Sequence, residues 1–454
     1  MSSNAVCVEH DIDVTREQRI IKTVSPQGDT LPDDVLIHVF VLISQDHGPV
    51  VFPIQETPPQ LVLSRVCIRW HMLALRIFEL WNNVYLVYRD GKRISCHEWL
   101  LRAGSSPIEL SLRFANPPRD DQAAAKIIQD AVFYCKHQIK MLYIDLTFGQ
   151  LKALSSLPNS ILPHIEKLEL RFDRSSVQES FSSAPTSLTG LRSVVLDEYA
   201  SASLDLDVFL NSSLPWSQLR CLMLYFIARD PVPVFNTLRQ MPLLQELHLC
   251  IQLRRSEHLA PLEELTIPSL WYICLELSTK VEHTNKILRS ITCPALVELV
   301  IHDGEWSKET YEIIKQQYNL QGLEVFELSL YKHTIPASAI LKDAPKLRRL
   351  EMRGSMIDNI DDEAIAGLSN GTLGRYLREL TIYHPSDINR LLSMVEMRKR
   401  TVDRLIENGC NWKEMITVLR KVVVYCKGRI GNIEHDCRYN ARVDALKMVG
   451  ITFD

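Results

Sequence analysis

A short apolar pattern returns at near-constant intervals along most of this chain, and that return restricts the fold more than any other feature. The pattern reads apolar-x-x-apolar-x-apolar. It opens at Ile139, Ile165, Leu191, Leu219, Leu244, Leu270, Leu296, Leu323, Leu347 and Leu377, at spacings of 24 to 30 residues. Alternation at the end of each segment marks a short strand with one buried face. Ahead of several strands lies a helical stretch closed by a proline: residues 234–239 before Pro242, 285–290 before Pro294 and 339–343 before Pro345. Proline lacks an amide donor and disfavours helix in the residue before it, so it ends the helix and lets the chain extend. A unit this short cannot bury its apolar face alone and must stack on its neighbours.

Each unit holds one strand, one helix and two turns, the arrangement of a leucine-rich repeat. The expected fold is an α/β solenoid: a curved array with a parallel sheet on the concave side and helices on the convex side. Ile108, Leu110 and Leu112 predict a first strand, and Leu419, Val422 and Val424 a last one. Residues 384–418 interrupt the period. Helical patterns at 386–406 and 437–448 are expected to cover the open end of the core, as terminal repeats must.

At 454 residues and 46% apolar content, length alone would suggest several domains, but solenoids grow by stacking. The expected organisation is a flexible tail at 1–28, a helical module at 29–88, and a solenoid at 89–454 with a C-terminal cap from about 384. Fifty-one basic residues against 55 acidic ones leave a net charge of −4, which gives no general attraction to nucleic acid or an anionic membrane. A protein partner is the default. The 11 cysteines include no Cys-x-x-Cys, and Cys221, Cys250 and Cys274 fall at strand positions that tolerate a reduced thiol. The first 30 residues carry charges throughout, and the longest apolar run, 35–43, is broken by His38 and falls far short of a membrane span. A soluble protein of the cytoplasm or nucleus is expected.

From Leu31 to about Val87 the strand repeats give way to amphipathic helices. Leu31-Pro32-Asp33-Asp34 places a proline at a helix start with acids in the first turn, where the free amides and helix dipole favour negative charge. Val35, Leu36, Val39, Phe40 and Ile43 follow at helical spacing. The proline-rich residues 47–59 read as a loop, and a second helix is expected over 61–77, then Leu80-Trp81. The stretches Leu-Pro-Asp-Asp-Val-Leu-Ile-His-Val-Phe and Leu-Ser-Arg-Val-Cys-Ile-Arg-Trp-His-Met-Leu-Ala-Leu, followed by Leu-Trp, resemble the F-box as it occurs in fungal F-box proteins with leucine-rich repeats. The departure is the proline-rich insertion, longer than a minimal F-box allows. The resemblance implies a non-catalytic substrate-recognition subunit of a Skp-cullin-F-box ubiquitin ligase. Its module would dock on a Skp-type adaptor, and through that on a cullin-RING ligase, while the repeats hold a target protein. By position Leu31, Pro32, Leu36, Val39, Phe40, Val66, Cys67 and Trp70 match adaptor-facing or module-core residues of that family, the two classes being indistinguishable in sequence.

In each repeat strand the residues at positions three, five and seven face the concave side. The middle repeats are poorer in charge and richer in Tyr, Met and Cys, types that suit an interface core. The expected target-binding set is therefore Met223, Tyr225, His248 and Tyr272, with Arg349 and Arg353 as a charged rim. The same positions would serve as ordinary solvated strand residues. No enzyme constellation emerges and no cofactor or metal is implied. His97-Glu98 has Leu101 where a zinc helix needs its second histidine, and Gly428-Arg429-Ile430-Gly431 lacks the lysine and hydroxyl of a phosphate loop. Arg398-Lys399-Arg400, beside Glu396 and Asp403, reads as a solvated helix face. Two other functions stay open: a repeat scaffold whose F-box-like module has lost the adaptor, and a receptor that senses a small molecule on its concave face.

Overall fold

The computed structural model of the chain describes residues 31–89, 94, 96–115, 121–134, 139–146, 162–172, 188–198, 214–228, 230–253, 259–302, 307–330, 335–354, 360–383, 387–408, 416–425, 444, 447 and 452–453. Two compact units divide the chain at residue 144.

In the first unit, α1 (Asp33–His47), β1 (Val50–Phe52), α2 (Pro59–Leu63), α3 (Ile68–Arg76) and a 3-10 turn (Phe78–Leu80) lead into β2 (Asn83–Tyr88). They are followed by α4 (His97–Arg102), β3 (Ile108–Phe114), α5 (Asp121–Tyr134) and β4 (Ile139–Leu146). The strands pair in parallel in the order β1, β2, β3, β4. The sheet thus starts two strands before Ile108, and the module expected to be all-helical carries β1 and β2. β1 lies inside the stretch 47–59 expected to be loop: Val50 and Phe52 are buried while Val51 points out. Three residues are too few to show a period in sequence, and their pairing with Val84, Tyr85 and Leu86 makes them a strand.

In the second unit, β5 (Lys167–Phe172), β6 (Ser193–Glu198), β7 (Cys221–Ala228), β8 (Glu246–Gln252), β10 (Tyr272–Ser278), β12 (Glu298–His302), β13 (Val325–Leu330), β14 (Arg349–Gly354), β15 (Glu379–Tyr383), β16 (Lys421–Tyr425) and β17 (Thr452–Phe453) pair in parallel in that order. The short β9 (Leu265–Thr266) and β11 (Ile291–Thr292) form a second, two-stranded parallel sheet. From Ile165 to Leu377, every opening residue of the repeat is fully buried and its strand begins two residues later. A buried leucine is worth about 1.5–3 kcal/mol over an exposed one, so the repeated opening leucine fixes the register strand after strand.

Helices α6 (Val232–Leu238), α7 (Val281–Arg289), α8 (Lys308–Gln317), α9 (Ala337–Asp343), α10 (Asp362–Asn370) and α11 (Ile388–Glu407) separate these strands. Side-chain hydrogen bonds tie neighbours together. Thr310 Oγ1 donates to Asn285 Oδ1 at 2.7 Å, Tyr311 Oη donates to Asp343 Oδ2 at 2.9 Å, and Asp361 accepts from the amides of Ser338 and Ala364. The sheet continues past α11 into β16, as Leu419 and Val422 predict, and then into β17. Residues 437–448, apart from 444 and 447, lie outside the described residues, as do residues 1–28, expected to form a tail, and the stretch 428–431.

Arg398 corrects the expectation of a solvated face at 398–400. It is 1% exposed, and its guanidinium donates to the carbonyl oxygens of Thr417 (2.9 Å), Leu368 (3.0 Å) and Gly374 (2.7 Å). Lys399 does pair with Asp403 at 3.0 Å, on the half-exposed side of the helix. A run of three charges looks uniform in sequence, yet successive helical residues point 100° apart, and one of them turns inward.

Candidate protein-binding surfaces

The helices of the first unit sort their apolar residues into two sets. Asp33 and Asp34 occupy the first turn of α1, and the helix buries Leu36 and Phe40, one turn apart. The helix expected over 61–77 is broken into α2 and α3. Between them Ser64 Oγ donates to the Leu61 carbonyl, and Cys67, with extended backbone, caps α3 by accepting from the Trp70 amide through its sulfur at 3.5 Å. Arg69 crosses to the start of α1, where its Nε donates to Asp33 Oδ1 (2.9 Å) and its Nη2 to the Leu31 carbonyl (2.6 Å). Gln60 is buried and donates to Ser44 Oγ at 2.7 Å. Trp81 is fully buried, donating from its indole N–H to the Ala74 carbonyl at 2.9 Å and stacking edge-on with Trp99 at 4.7 Å.

The structure therefore separates residues that sequence left together. Leu36 and Phe40 are core. Trp70 is half-buried, its ring 4.9 Å from that of Phe40, and Cys67 is half-buried as a helix cap. Leu31, Pro32, Val39 and Val66 are exposed. Sequence reading missed Ile37, Leu42, Val62, Ile68 and Met72, which are also exposed, Ile68 by 68%. The i, i+4 spacing of Ile68 and Met72, and Leu42 three residues beyond Val39, carried that signal. More than half of the large apolar side chains exposed among the described residues fall within 31–72. That density is high for so short a segment of the chain.

On the main sheet the predicted rows are in register. Position three runs Cys221, Glu246, Tyr272, Glu298, Val325 across successive strands, and position five runs Met223, His248, Cys274, Val300, Glu327. Between β7 and β8 the register shifts after Leu224, so that Cys250 pairs with Ile227 and Tyr225 sits in a bulge. Bulges re-aim side chains. Tyr225 is 43% exposed, donates its hydroxyl to Met223 Sδ at 3.5 Å and lies 4.4 Å, ring to ring, from His248. Met223, Tyr225 and His248 thus form one cluster, with Tyr272 on the strand beyond His248. Arg349 and Arg353 stand three strands further on, about 14 Å away at ordinary strand spacing. Both are engaged on the sheet: Arg349 with Glu327, and Arg353 with Glu351 at 2.6 Å.

Burial sets the protonation of this face. It holds the His248 imidazole below its usual range against the pull of nearby Glu276, and pushes the Tyr272 phenol and the Glu298 carboxyl up. Burial likewise raises the Cys274 thiol to about 12, leaving it protonated and unreactive at neutral pH. Among the described residues no group of three His, Cys, Asp or Glu side chains is placed to hold a metal ion, and no helix is long and apolar enough to cross a membrane. His97 and Glu98 are exposed at the start of α4.

Residues 29–87 match the F-box-like family. The match covers α1 to α3 and most of β2, so the exposed apolar side chains belong to an F-box-like region, a type of domain that binds a Skp-type adaptor in ubiquitin ligases of the Skp-cullin-F-box kind. No curated protein is detectably similar to the chain.

Proposed function

We propose that this protein is a substrate-recognition subunit of a Skp-cullin-F-box ubiquitin ligase, performing no bond chemistry itself. The exposed apolar side chains of α1 to α3, within the F-box-like match, carry the reading. In it Leu31, Pro32, Val39 and Val66, joined by Ile68 and Met72, meet the adaptor, while Leu36 and Phe40 hold the helices that present them. The strand face around Met223, Tyr225, His248 and Tyr272 takes the target, with Arg349 and Arg353 at its border. The mechanism is proximity: a bound target has its lysines held at high effective concentration near a charged conjugating enzyme. The reading places the protein in the cytoplasm or nucleus.

The test is co-purification of the full chain with a Skp-type adaptor, beside a Val39→Asp/Met72→Asp variant. Deleting residues 1–88 would be a poor control, because it removes β1 and β2 from the sheet of the first unit. A stoichiometric complex that the double variant loses while keeping its circular dichroism and melting temperature supports the reading. A folded wild-type chain with no adaptor affinity overturns it in favour of a repeat scaffold.

A further inference from the structure

The charges on the strand face are unevenly distributed. At one side Lys167 pairs with Glu169 (3.3 Å) and Arg171 with Asp197 (3.4 Å), and at the other Arg349 and Arg353 engage Glu327 and Glu351. Between these neutralised borders, β7, β8, β10 and β12 carry no Lys or Arg at positions three, five or seven. They carry Glu246, Glu276 and Glu298 instead. Glu246 and Glu298 lie in register on either side of Tyr272, one strand away each, and neither has an ion-pair partner among the described residues. His248, 7% exposed, holds its Nε2 3.2 Å from Glu276 Oε1, so of the three carboxylates only Glu276 has a basic side chain within ion-pair distance among the described residues.

We propose that the centre of this face binds an extended, unphosphorylated segment of a target protein through a Lys or Arg side chain laid over Tyr272 between Glu246 and Glu298. The proposal rests on the reading of the strand face as the target site and names the chemistry of the target. A cation there gains two carboxylates and the face of a phenol ring, and the exposed ring of Tyr225 with Met223 offers an apolar contact beside it. Burial raises the Glu298 carboxyl against the pull of Arg349, and a second cation facing it would add to that pull. A phosphate would meet three carboxylates at the centre, and at the borders only cations already engaged.

The probe is a display library of random linear peptides, with a parallel set containing phosphoserine and phosphothreonine, selected on the full chain and on a Glu246→Gln/Glu298→Gln variant. Enrichment of Lys or Arg on the wild type, weakened about threefold to tenfold in the variant and by added salt, supports the proposal. A Tyr272→Ala variant should lose the same peptides. Enrichment of phosphorylated or acidic peptides, binding indifferent to the glutamate changes, or no selected peptide at all overturns it. Adaptor co-purification is measured on the same preparations. If the adaptor binds while the library result is negative, only the target chemistry falls; if the wild-type chain binds no adaptor, the ligase reading falls whatever the library shows.

Discussion

Replacing Arg398 with Met tests whether a buried charge without a carboxylate partner holds the end of the sheet together. The methionine keeps most of the side-chain volume and removes the donors, so packing changes little and the hydrogen bonds account for the effect. Three close carbonyls lose a charged donor: Leu368 in α10, Gly374 in the turn before β15, and Thr417 on the approach to β16. At about 1.5–3 kcal/mol for each such bond, the gross loss is roughly 4–9 kcal/mol. Burial of the guanidinium opposes this. It lowers the pKa from the ordinary arginine range to about 10, which corresponds to roughly 3 kcal/mol of unfavourable desolvation that the variant no longer carries. The expected net destabilisation is a few kcal/mol, about 3, concentrated where the three segments meet. Because repeat arrays open locally, hydrogen exchange is the sharper assay: amides of residues 379–383 and 421–425 should exchange faster in the variant, with those of β7 and β8 unchanged. Melting should also begin several degrees earlier. Wild-type exchange rates at both strands, with a melting temperature moved by less than about 1 °C, would refute the reasoning.

Phe40→Ala should destabilise the first unit by about 3–5 kcal/mol and remove adaptor binding through unfolding, whereas Val39→Asp should change stability by less than about 0.5 kcal/mol; circular dichroism and thermal melts separate the two. His248 has a folded pKa below its unfolded value near 6.5, so its contribution to stability is complete above that pH and is lost as pH falls through the folded value. The wild type should therefore lose more melting temperature between pH 7 and pH 5 than His248→Gln does, and equal losses would show that the imidazole is not the group responsible. Burial raises the thiols of Cys96, Cys274 and Cys293 to about 11, 12 and 12, so iodoacetamide at neutral pH should label them only after unfolding, as peptide mass spectrometry would report.

The repeat was legible because the same physical demand recurs: each strand needs an apolar residue two positions before it to seal the layer beneath, and from Ile165 to Leu377 the chain supplies one. The F-box-like segment was legible for a similar reason, since its first helix must bury Leu36 and Phe40 at helical spacing. Short or non-local features were not. β1 exists only because Val50 to Phe52 find β2, and α2 and α3 are separate because Cys67 takes an extended backbone and caps the second of them.

Sequence alone thus determined where the repeat strands begin and the presence of a helical module ahead of the array, because both follow from local periodicity in apolar residues. Tertiary structure decided which apolar residues of the module stay in water, that Arg398 is buried rather than solvated, and that Glu246 and Glu298 flank Tyr272. Each of these depends on which distant segment packs against which face. Periodicity along one element identifies its faces, but what covers each face is set by partners far away in the chain.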